Sequence, residues 1–237
     1  MTAPVSGGGA LEALAARYGL DQTAVNHLDV LLERLAADPR APTAVREPRQ
    51  VLDRHIADSL AGLEVDVVRG AKVIADLGSG AGLPGLVLAA SLPGAQVRAV
   101  ESQQRKCAYI ASLVTAAGLS NVRVVCARAE DWKEGLEAHD LVVARALAAQ
   151  PVVLEYAAPL LALGGHFVDW RGRRDSQDEQ RARAAAAQLG LERAEVRAVT
   201  PFPGAEDRHL HVFVKQAATP PRFPRRAGVA RKRPLGG

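Results

Sequence analysis

The stretch DLGSGAGLPG, residues 76–85, decides the fold expected of this chain. Four of its residues are glycines, and it follows the apolar run AKVIA, residues 71–75, without a gap. Glycine lacks a Cβ, so it adopts positive φ readily and lets a ligand approach the main chain closely. In an open parallel sheet the loop after the first strand is the usual ligand cradle. We therefore predict a strand that ends near Asp76 and a ligand-binding loop that begins at Gly78.

Short β-branched runs alternate with helical segments after Gly70. This alternation predicts an α/β protein with a seven-stranded, mostly parallel sheet and helices on both faces. The last two runs are separated by TPFPGAEDR, residues 200–208, which is not helical, so we expect them to form an antiparallel pair at one edge. The seven predicted strands are AKVIAD, AQVRAVE, NVRVVCA, DLVVARA, GGHFVDW, RAEVRAV and HLHVFVK.

The chain divides into three predicted parts. Residues 1–69 form a helical N-terminal extension, because apolar residues recur at helical spacing from Leu11 to Ala37, with a break at Gly19 and a capping Asp21, and again over residues 49–63. Residues 70–216 form the α/β core. Residues 217–237 form a basic tail, which contains six Arg or Lys residues and no acidic residue, whereas residues 1–216 carry 24 basic against 26 acidic residues, so the net charge of +4 comes from the tail.

Composition narrows the class of protein. No run of 18 or more uncharged apolar residues occurs, and the N-terminus lacks the basic start and apolar run of a signal peptide, so we expect a cytoplasmic protein. A monomer is the default expectation. Cys107 and Cys126 lie 19 residues apart without CxxC spacing or a paired histidine. This spacing predicts buried free thiols, with neither a metal site nor a disulfide framework.

Two classes of ligand compete for the glycine loop. Gly80, Gly82 and Gly85 match the dinucleotide fingerprint, and Glu101 follows about twenty residues later, where a carboxylate that binds a ribose diol belongs. Asp76, however, would repel a pyrophosphate, whereas it suits S-adenosyl-L-methionine, which has an amino group, a sulfonium and no phosphate. Glu101 fits both ligands. After the third predicted strand, Ala129 and Glu130 are placed to meet an adenine.

The end of the fourth predicted strand carries Arg145, where methyltransferases with this sheet order face the methyl acceptor. The Asp or Asn followed by Pro-Pro that is typical of adenine amino methylation is absent, and neither cysteine is placed to attack cytosine C5. Attack by a ring nitrogen such as guanine N7 fits, because N7 has no proton to lose. Arg145 could bind guanine O6 or the cofactor carboxylate, or form a structural salt bridge.

Several stretches taken in order resemble the bacterial 16S rRNA guanine-N7 methyltransferases, also called glucose-inhibited division protein B. They are LDRHIADSL, DLGSGAGLPGL, VESQQRKCAYI, ARAEDW, VVARALA, DRHLHVFVK and PPRFPRRAGVARKRPL. The resemblance implies a Rossmann-like class I methyltransferase that modifies N7 of a guanine in a 16S rRNA loop near the decoding site, with Arg145 as the catalytic candidate. The implied cofactor-binding residues are Asp76, Gly78, Gly80, Leu83, Glu101, Ser102, Ala129, Glu130 and Arg145.

The sequence departs from the family pattern at two places. Ala41-Pro42-Thr43 stands where members often have Asn-Leu-Thr, and Arg171-Gly172 stands where they often have Lys-Gly. The expected partner is 16S rRNA, the small ribosomal subunit or its assembly intermediate. The candidate RNA-binding residues are Arg54, His55, Arg171, Arg173, Arg208, His209, Arg225, Arg226, Arg231, Lys232 and Arg233.

The tail is too rich in proline and charge to pack a core by itself, so we expect it to be mobile until it meets RNA. Its removal should then leave cofactor affinity nearly intact. Three alternatives stay open: a methyltransferase of this fold that acts on another RNA or a small molecule, a nicotinamide-dependent oxidoreductase, and an RNA-binding protein without catalytic activity.

Overall fold

A computed structural model describes residues 7–237 of the chain; the first six residues of the predicted N-terminal extension lie outside the described part. The extension contains the two helices expected around Gly19, and the side chain of Asp21 accepts a hydrogen bond from the amide of Ala24, as a helix cap does. The helices are α1 (Gly7–Tyr18), α2 (Gln22–Ala37), α3 (residues 48–64), α4 (Asp66–Arg69), α5 (Gly85–Ser91), α6 (Gln104–Ala116), α7 (Gln150–Ala157), α8 (Ser176–Leu189) and α9 (Val229–Lys232).

Helix α3 is not the regular amphipathic helix that its apolar spacing predicts. It begins at Pro48, with the Glu47 side chain accepting hydrogen bonds from the amides of Arg49 and Gln50. It then widens into a π-helical segment, Leu52–Ala57, before a last α turn and a 3₁₀ turn. Wide turns of this kind are frequent at functional sites. This one carries two of the candidate RNA-binding residues, Arg54 and His55.

The sheet has seven strands in the order β3-β2-β1-β4-β5-β7-β6, which confirms the predicted α/β fold. All neighbours pair in parallel except β5 with β7 and β7 with β6, so the expected antiparallel edge is also confirmed. The strand order reverses between β1 and β4, where ligands bind in sheets of this type. The strands are β1 (Val73–Leu77), β2 (Gln96–Glu101), β3 (Val122–Cys126), β4 (His139–Arg145), β5 (Leu161–Arg171), β6 (Leu191–Ala198) and β7 (His209–Lys215).

Each face of the sheet packs its own apolar core. On one face, Ile74 and Val97 pack with helices α1, α2, α3 and α5. On the other face, Ala75 and Phe167 pack with helices α7 and α8. That second core also contains Phe223 and Ala230, which belong to the C-terminal segment, residues 217–237. The expectation of a mobile tail is therefore wrong, because the segment contributes apolar residues to a core that the rest of the chain supplies.

The prediction of buried free thiols is also wrong. Cys107 and Cys126 form a disulfide with 5.8 Å between their Cα atoms, and Cys126 is exposed. Parallel pairing explains why a spacing of 19 residues brings them together: Glu101 at the end of β2 lies opposite Cys126 at the end of β3. Helix α6 starts three residues after Glu101 and turns Cys107 back toward that edge.

Among residues 7–237, no helix combines the length and apolar character needed to cross a bilayer.

Candidate active site

The carboxylate of Asp76 lies completely buried beneath the glycine loop. One oxygen, Oδ2, accepts a hydrogen bond of 3.0 Å from the amide of Gly85, at the start of helix α5. The other oxygen, Oδ1, is buried and has no hydrogen-bond partner within the described structure. Burial raises the pKa of Asp76 to about 6, against the lowering effect of hydrogen bonds such as that from Gly85. A buried acceptor of this kind is costly unless a ligand supplies a donor.

Glu101, at the end of β2, holds the glycine loop from the side. Its Oε2 accepts a hydrogen bond of 3.1 Å from the amide of Gly80, and its Oε1 accepts one of 2.8 Å from the amide of Gln103. The side chain is only 5% exposed. Leu83 is buried in the first apolar core, at a cis peptide bond with Pro84. It therefore supports the loop from behind.

A first cavity of about 360 Å³ opens beyond the carboxyl ends of β1, β2 and β3. Of the predicted cofactor residues, Gly78, Ser102, Ala129 and Glu130 line it, whereas Asp76, Gly80, Leu83, Glu101 and Arg145 do not. Gly78 has φ of +67°, which strains any residue with a Cβ, and a Cβ there would also displace the Leu147 side chain from this wall of the cavity. The full lining is Gly78, Val100, Ser102, Gln103, Ala127, Arg128, Ala129, Glu130, Leu147, Tyr156 and Arg231.

Three of these lining residues could not be selected from the sequence. Leu147 follows β4, Tyr156 lies on α7, and Arg231 belongs to the C-terminal segment. The basic composition of that segment suggests contact with RNA and gives no sign that it folds back. The sequence predicts that Arg231 binds RNA, whereas the structure places it at the first cavity.

A second cavity of about 420 Å³ lies on the other side of β4. Asp58, on helix α3, joins its two sides: Oδ2 accepts a hydrogen bond of 2.8 Å from Arg145 Nη1, and Oδ1 lies 3.4 Å from Arg208 Nε. The indole of Trp170 donates to the Asp58 carbonyl at 2.8 Å. The lining is Arg54, His55, Asp58, Arg145, Ala146, Trp170, Arg171, Gly172, Arg173 and Arg208.

Arg145 is thus held by the protein in a fixed position. Its guanidinium also donates to the Arg54 carbonyl at 3.2 Å, and its side chain is only 16% exposed. The next residue, Ala146, has φ of +55°, a left-handed conformation that is uncommon for residues with a Cβ and is often found at functional sites. This turn lies between Arg145, which lines the second cavity, and Leu147, which lines the first.

His55 is a neutral group on the wall of the second cavity. Its Nε2 lies 2.8 Å from the hydroxyl of Thr43, while its buried Nδ1 has no partner in the part of the chain that the structure describes. Burial, helped by the positive charge of Arg145, lowers the pKa of His55. The ring can therefore offer a hydrogen bond near neutral pH without adding charge to a cavity that already contains several arginines.

The candidate RNA-binding residues fall into two groups. Arg54, His55, Arg171, Arg173 and Arg208 surround the second cavity, and His209 at its edge donates from Nδ1 to the Gly172 carbonyl at 3.1 Å. Those of the C-terminal segment behave differently. The Arg225 guanidinium is bonded to the buried Glu155, whereas Arg226, Lys232 and Arg233 are exposed.

Comparison with known proteins assigns this chain to a family. A family model described as rRNA small subunit methyltransferase G (GidB) matches residues 27–211. The chain belongs to this family. Ribosomal RNA small subunit methyltransferase G of Rubrobacter xylanophilus is 41% identical over 198 residues, covering 81% of this chain and 76% of that protein. The protein of the same name from Desulfitobacterium hafniense is 36% identical and covers 81% of each chain.

The fold agrees with the family. The solved structure of a SAM-dependent methyltransferase from Aquifex aeolicus superposes with a TM-score of 0.56 at 16% identity, covering 78% of this chain and 96% of that one. The Rossmann-like class I methyltransferase fold is confirmed, as is the expectation of a small-subunit rRNA methyltransferase. The alternative of a nicotinamide-dependent oxidoreductase is set aside. The family match ends at residue 211, before the C-terminal segment.

Proposed function

We propose that the protein transfers the methyl group of S-adenosylmethionine to N7 of a guanine in a loop of 16S rRNA near the decoding site. The observation that supports this most directly is the pair of cavities at the end of β4. The first cavity is lined by Gly78 of the glycine loop and by Glu130, with the carboxylates of Asp76 and Glu101 buried next to that loop, and this arrangement suits a nucleoside with a cationic end. The second cavity is rich in arginine, which suits an RNA nucleotide.

The residues of the first cavity and its loop fit the cofactor. The buried and unpartnered Oδ1 of Asp76 can accept a hydrogen bond from an ammonium group. Glu101, which already accepts from Gly80, can accept from a ribose diol, and Glu130, which lines the cavity, can accept from an adenine amine. The absence of phosphate in the cofactor makes three carboxylates tolerable. When bound, S-adenosylmethionine supplies an electrophilic methyl group on a sulfonium.

Methylation of guanine at N7 requires no acid–base catalysis. The N7 lone pair lies in the plane of the ring and forms a bond to the methyl carbon, while the carbon–sulfur bond breaks and its electron pair stays on sulfur. No proton is lost, so no general base is needed. The protein's contribution is orientation in a site that excludes water. Arg145, held by Asp58, can donate to guanine O6 and so orient the base.

The target base must come from a loop. In an A-form helix N7 lies in a deep, narrow groove that protein side chains cannot read, so a base turned out of its stack is the accessible form. Such a base would enter the second cavity, where the partly exposed guanidinium of Arg171 offers a flat surface. Arg54, Arg173 and Arg208 would then meet neighbouring phosphates.

The test is incubation with methyl-labelled S-adenosylmethionine and either small ribosomal subunits or naked 16S rRNA, both from cells that lack this gene. N7-methylguanine is mapped by chain cleavage. We expect one labelled guanine, and the better substrate of the two identifies the assembly stage. The absence of label on both, with cofactor bound normally, would refute the rRNA assignment and point to another methyl acceptor.

Arg145→Ala separates the proposed roles of this residue. If Arg145 contacts the base, kcat falls by about 100-fold or more while the KM for S-adenosylmethionine stays unchanged. A rise in that KM instead identifies a contact with the cofactor. Arg183→Ala is the matched control, because Arg183 is an exposed arginine on helix α8 and its removal changes the charge equally.

A further inference from the structure

We propose that the C-terminal segment, residues 217–237, is part of the cofactor site: it forms the wall of the first cavity at the adenine end, and Arg231 contacts the bound cofactor. This inference rests on S-adenosylmethionine being the cofactor and is independent of the RNA target. Within the described structure, Arg231 lines the first cavity together with Tyr156 and Leu147.

The segment contacts the rest of the protein both before and after Arg231 along the chain. Phe223 and Ala230 are 8% and 1% exposed and belong to the second apolar core. The Arg225 guanidinium donates to Glu155, a residue of helix α7 that is 1% exposed, with 2.7 Å between Nε and Oε1. At the far end, Gly236 approaches the backbone of Arg181 so closely that a Cβ would overlap it. The position of the segment is therefore determined by packing and needs no RNA.

Two hydrogen bonds connect the segment to opposite walls of the cavity. The amide of Gly228 donates to Glu130 Oε1 at 3.2 Å, from a left-handed backbone with φ of +82°. Arg231 Nη2 donates to the Leu147 carbonyl at 3.2 Å. Glu130 follows β3 and Leu147 follows β4, so the segment joins the loops after these two strands across the cavity mouth.

The chemistry of Arg231 suits an adenine. The side chain is exposed at the cavity mouth, so a bound ligand would cover it. Because the cofactor has no phosphate, a guanidinium there has no anion of that kind to pair with. A planar guanidinium can instead stack on the face of a nucleobase, an arrangement that a lysine ammonium does not reproduce. We therefore assign Arg231 a stacking role over the adenine.

The test is calorimetric titration of the full-length protein with S-adenosylhomocysteine and S-adenosylmethionine, without RNA. Arg231→Ala should weaken both by about tenfold, in keeping with the strength of a cation–π contact that loses water. Arg231→Lys keeps the charge and should recover only part of this loss. Lys232→Ala is the matched control, because the neighbouring lysine is exposed and outside the cavity lining, and it should change affinity less than about twofold.

A second measurement tests the wall independently of any substitution. Amide hydrogen exchange of residues 221–235 should slow when S-adenosylhomocysteine binds, because the bound ligand contacts Arg231 and so stabilises the segment against local opening. Two results would overturn the proposal: Arg231→Ala binding as tightly as Lys232→Ala, or exchange in this segment that is unchanged by the ligand. Both are separable from a failure to methylate 16S rRNA, since neither measurement uses RNA.

Discussion

Replacement of Arg225 by alanine should destabilise the protein strongly, although the residue belongs to a C-terminal segment with the composition of a disordered tail. Glu155 receives hydrogen bonds from Arg225 Nε at 2.7 Å and from the Arg225 amide at 3.3 Å, and Arg225 Nη2 contacts its other oxygen. Glu155 is 1% exposed. Removal of the guanidinium would leave a buried carboxylate without its charged partner.

The cost of breaking a buried ion pair by removing one partner is about 3 to 5 kcal/mol, and we take about 3 kcal/mol because Arg225 is itself partly exposed. In a protein of this size each kcal/mol shifts Tm by about 2–4 °C. Arg225→Ala should therefore lower Tm by about 6–12 °C in a calorimetric or circular dichroism melt at pH 7.

Two further variants make this prediction specific. Arg226→Ala removes the same charge from an exposed neighbour, and its Tm should stay within about 1 °C of the parent protein. Glu155→Gln combined with Arg225→Ala removes the unpaired charge but keeps the shape of the side chain, so it should recover more than half of the lost stability. A Tm for Arg225→Ala within about 2 °C of the parent, or a double variant as unstable as the single one, would refute the reasoning.

Three other predictions concern the first cavity, a buried histidine and the disulfide. Gly78→Ala should weaken S-adenosylhomocysteine binding in calorimetry because its Cβ overlaps Leu147. Gly204→Ala is the control: it also places a Cβ on a left-handed backbone, but this Cβ meets nothing within 4 Å, so the substitution should affect stability alone. Burial lowers the pKa of His211 to about 4, so the unfolded chain binds this proton first and stability falls as the pH drops from about 6.5 toward 4. In melts between about pH 6.5 and pH 4, His211→Leu should lose less stability than the parent protein, and an unchanged pH profile would contradict this prediction. Because both ring nitrogens of His211 lack partners among residues 7–237, the variant should be no less stable than the parent at pH 7. Alkylation of the unfolded, unreduced protein should modify neither cysteine, and prior reduction should allow two modifications by mass spectrometry, whereas two modifications without reduction would show that the Cys107–Cys126 bond is absent.

The sheet and the glycine loop could be predicted because their signals are local. Strand and helix alternation fixes a parallel sheet, and a glycine loop directly after the first strand fixes where its ligand binds. Asp58 shows what local signals miss. It binds Arg145, which is 87 residues away in the chain, and its own position in helix α3 gives no sign of that partner. Contacts of this kind depend on how helices pack on the sheet.

The C-terminal segment was misjudged for a related physical reason. Its own apolar residues are too few for a core, which is why composition suggested disorder. Phe223 and Ala230 nevertheless are buried, because helices α7 and α8 and the sheet supply the rest of the apolar surface. The Cys107–Cys126 pair was missed because strand register, which brings Cys126 opposite Glu101, does not follow from spacing along the chain.

The ion pairs also change how the basic residues should act on RNA. Arg145 and Arg208 share Asp58, Arg171 lies 3.7 Å from Asp169, and Arg225 binds Glu155. A phosphate that approaches one of these must compete with a carboxylate, so their contribution to RNA affinity is smaller than their charge suggests, and their main effect is to hold defined positions. The salt dependence of RNA binding should then follow the residues that have no carboxylate partner in the described part of the chain, with a slope of about 0.7 per phosphate neutralised on single-stranded RNA. Among the candidate RNA-binding residues outside the first cavity, those are Arg54, Arg173, Arg226, Lys232 and Arg233.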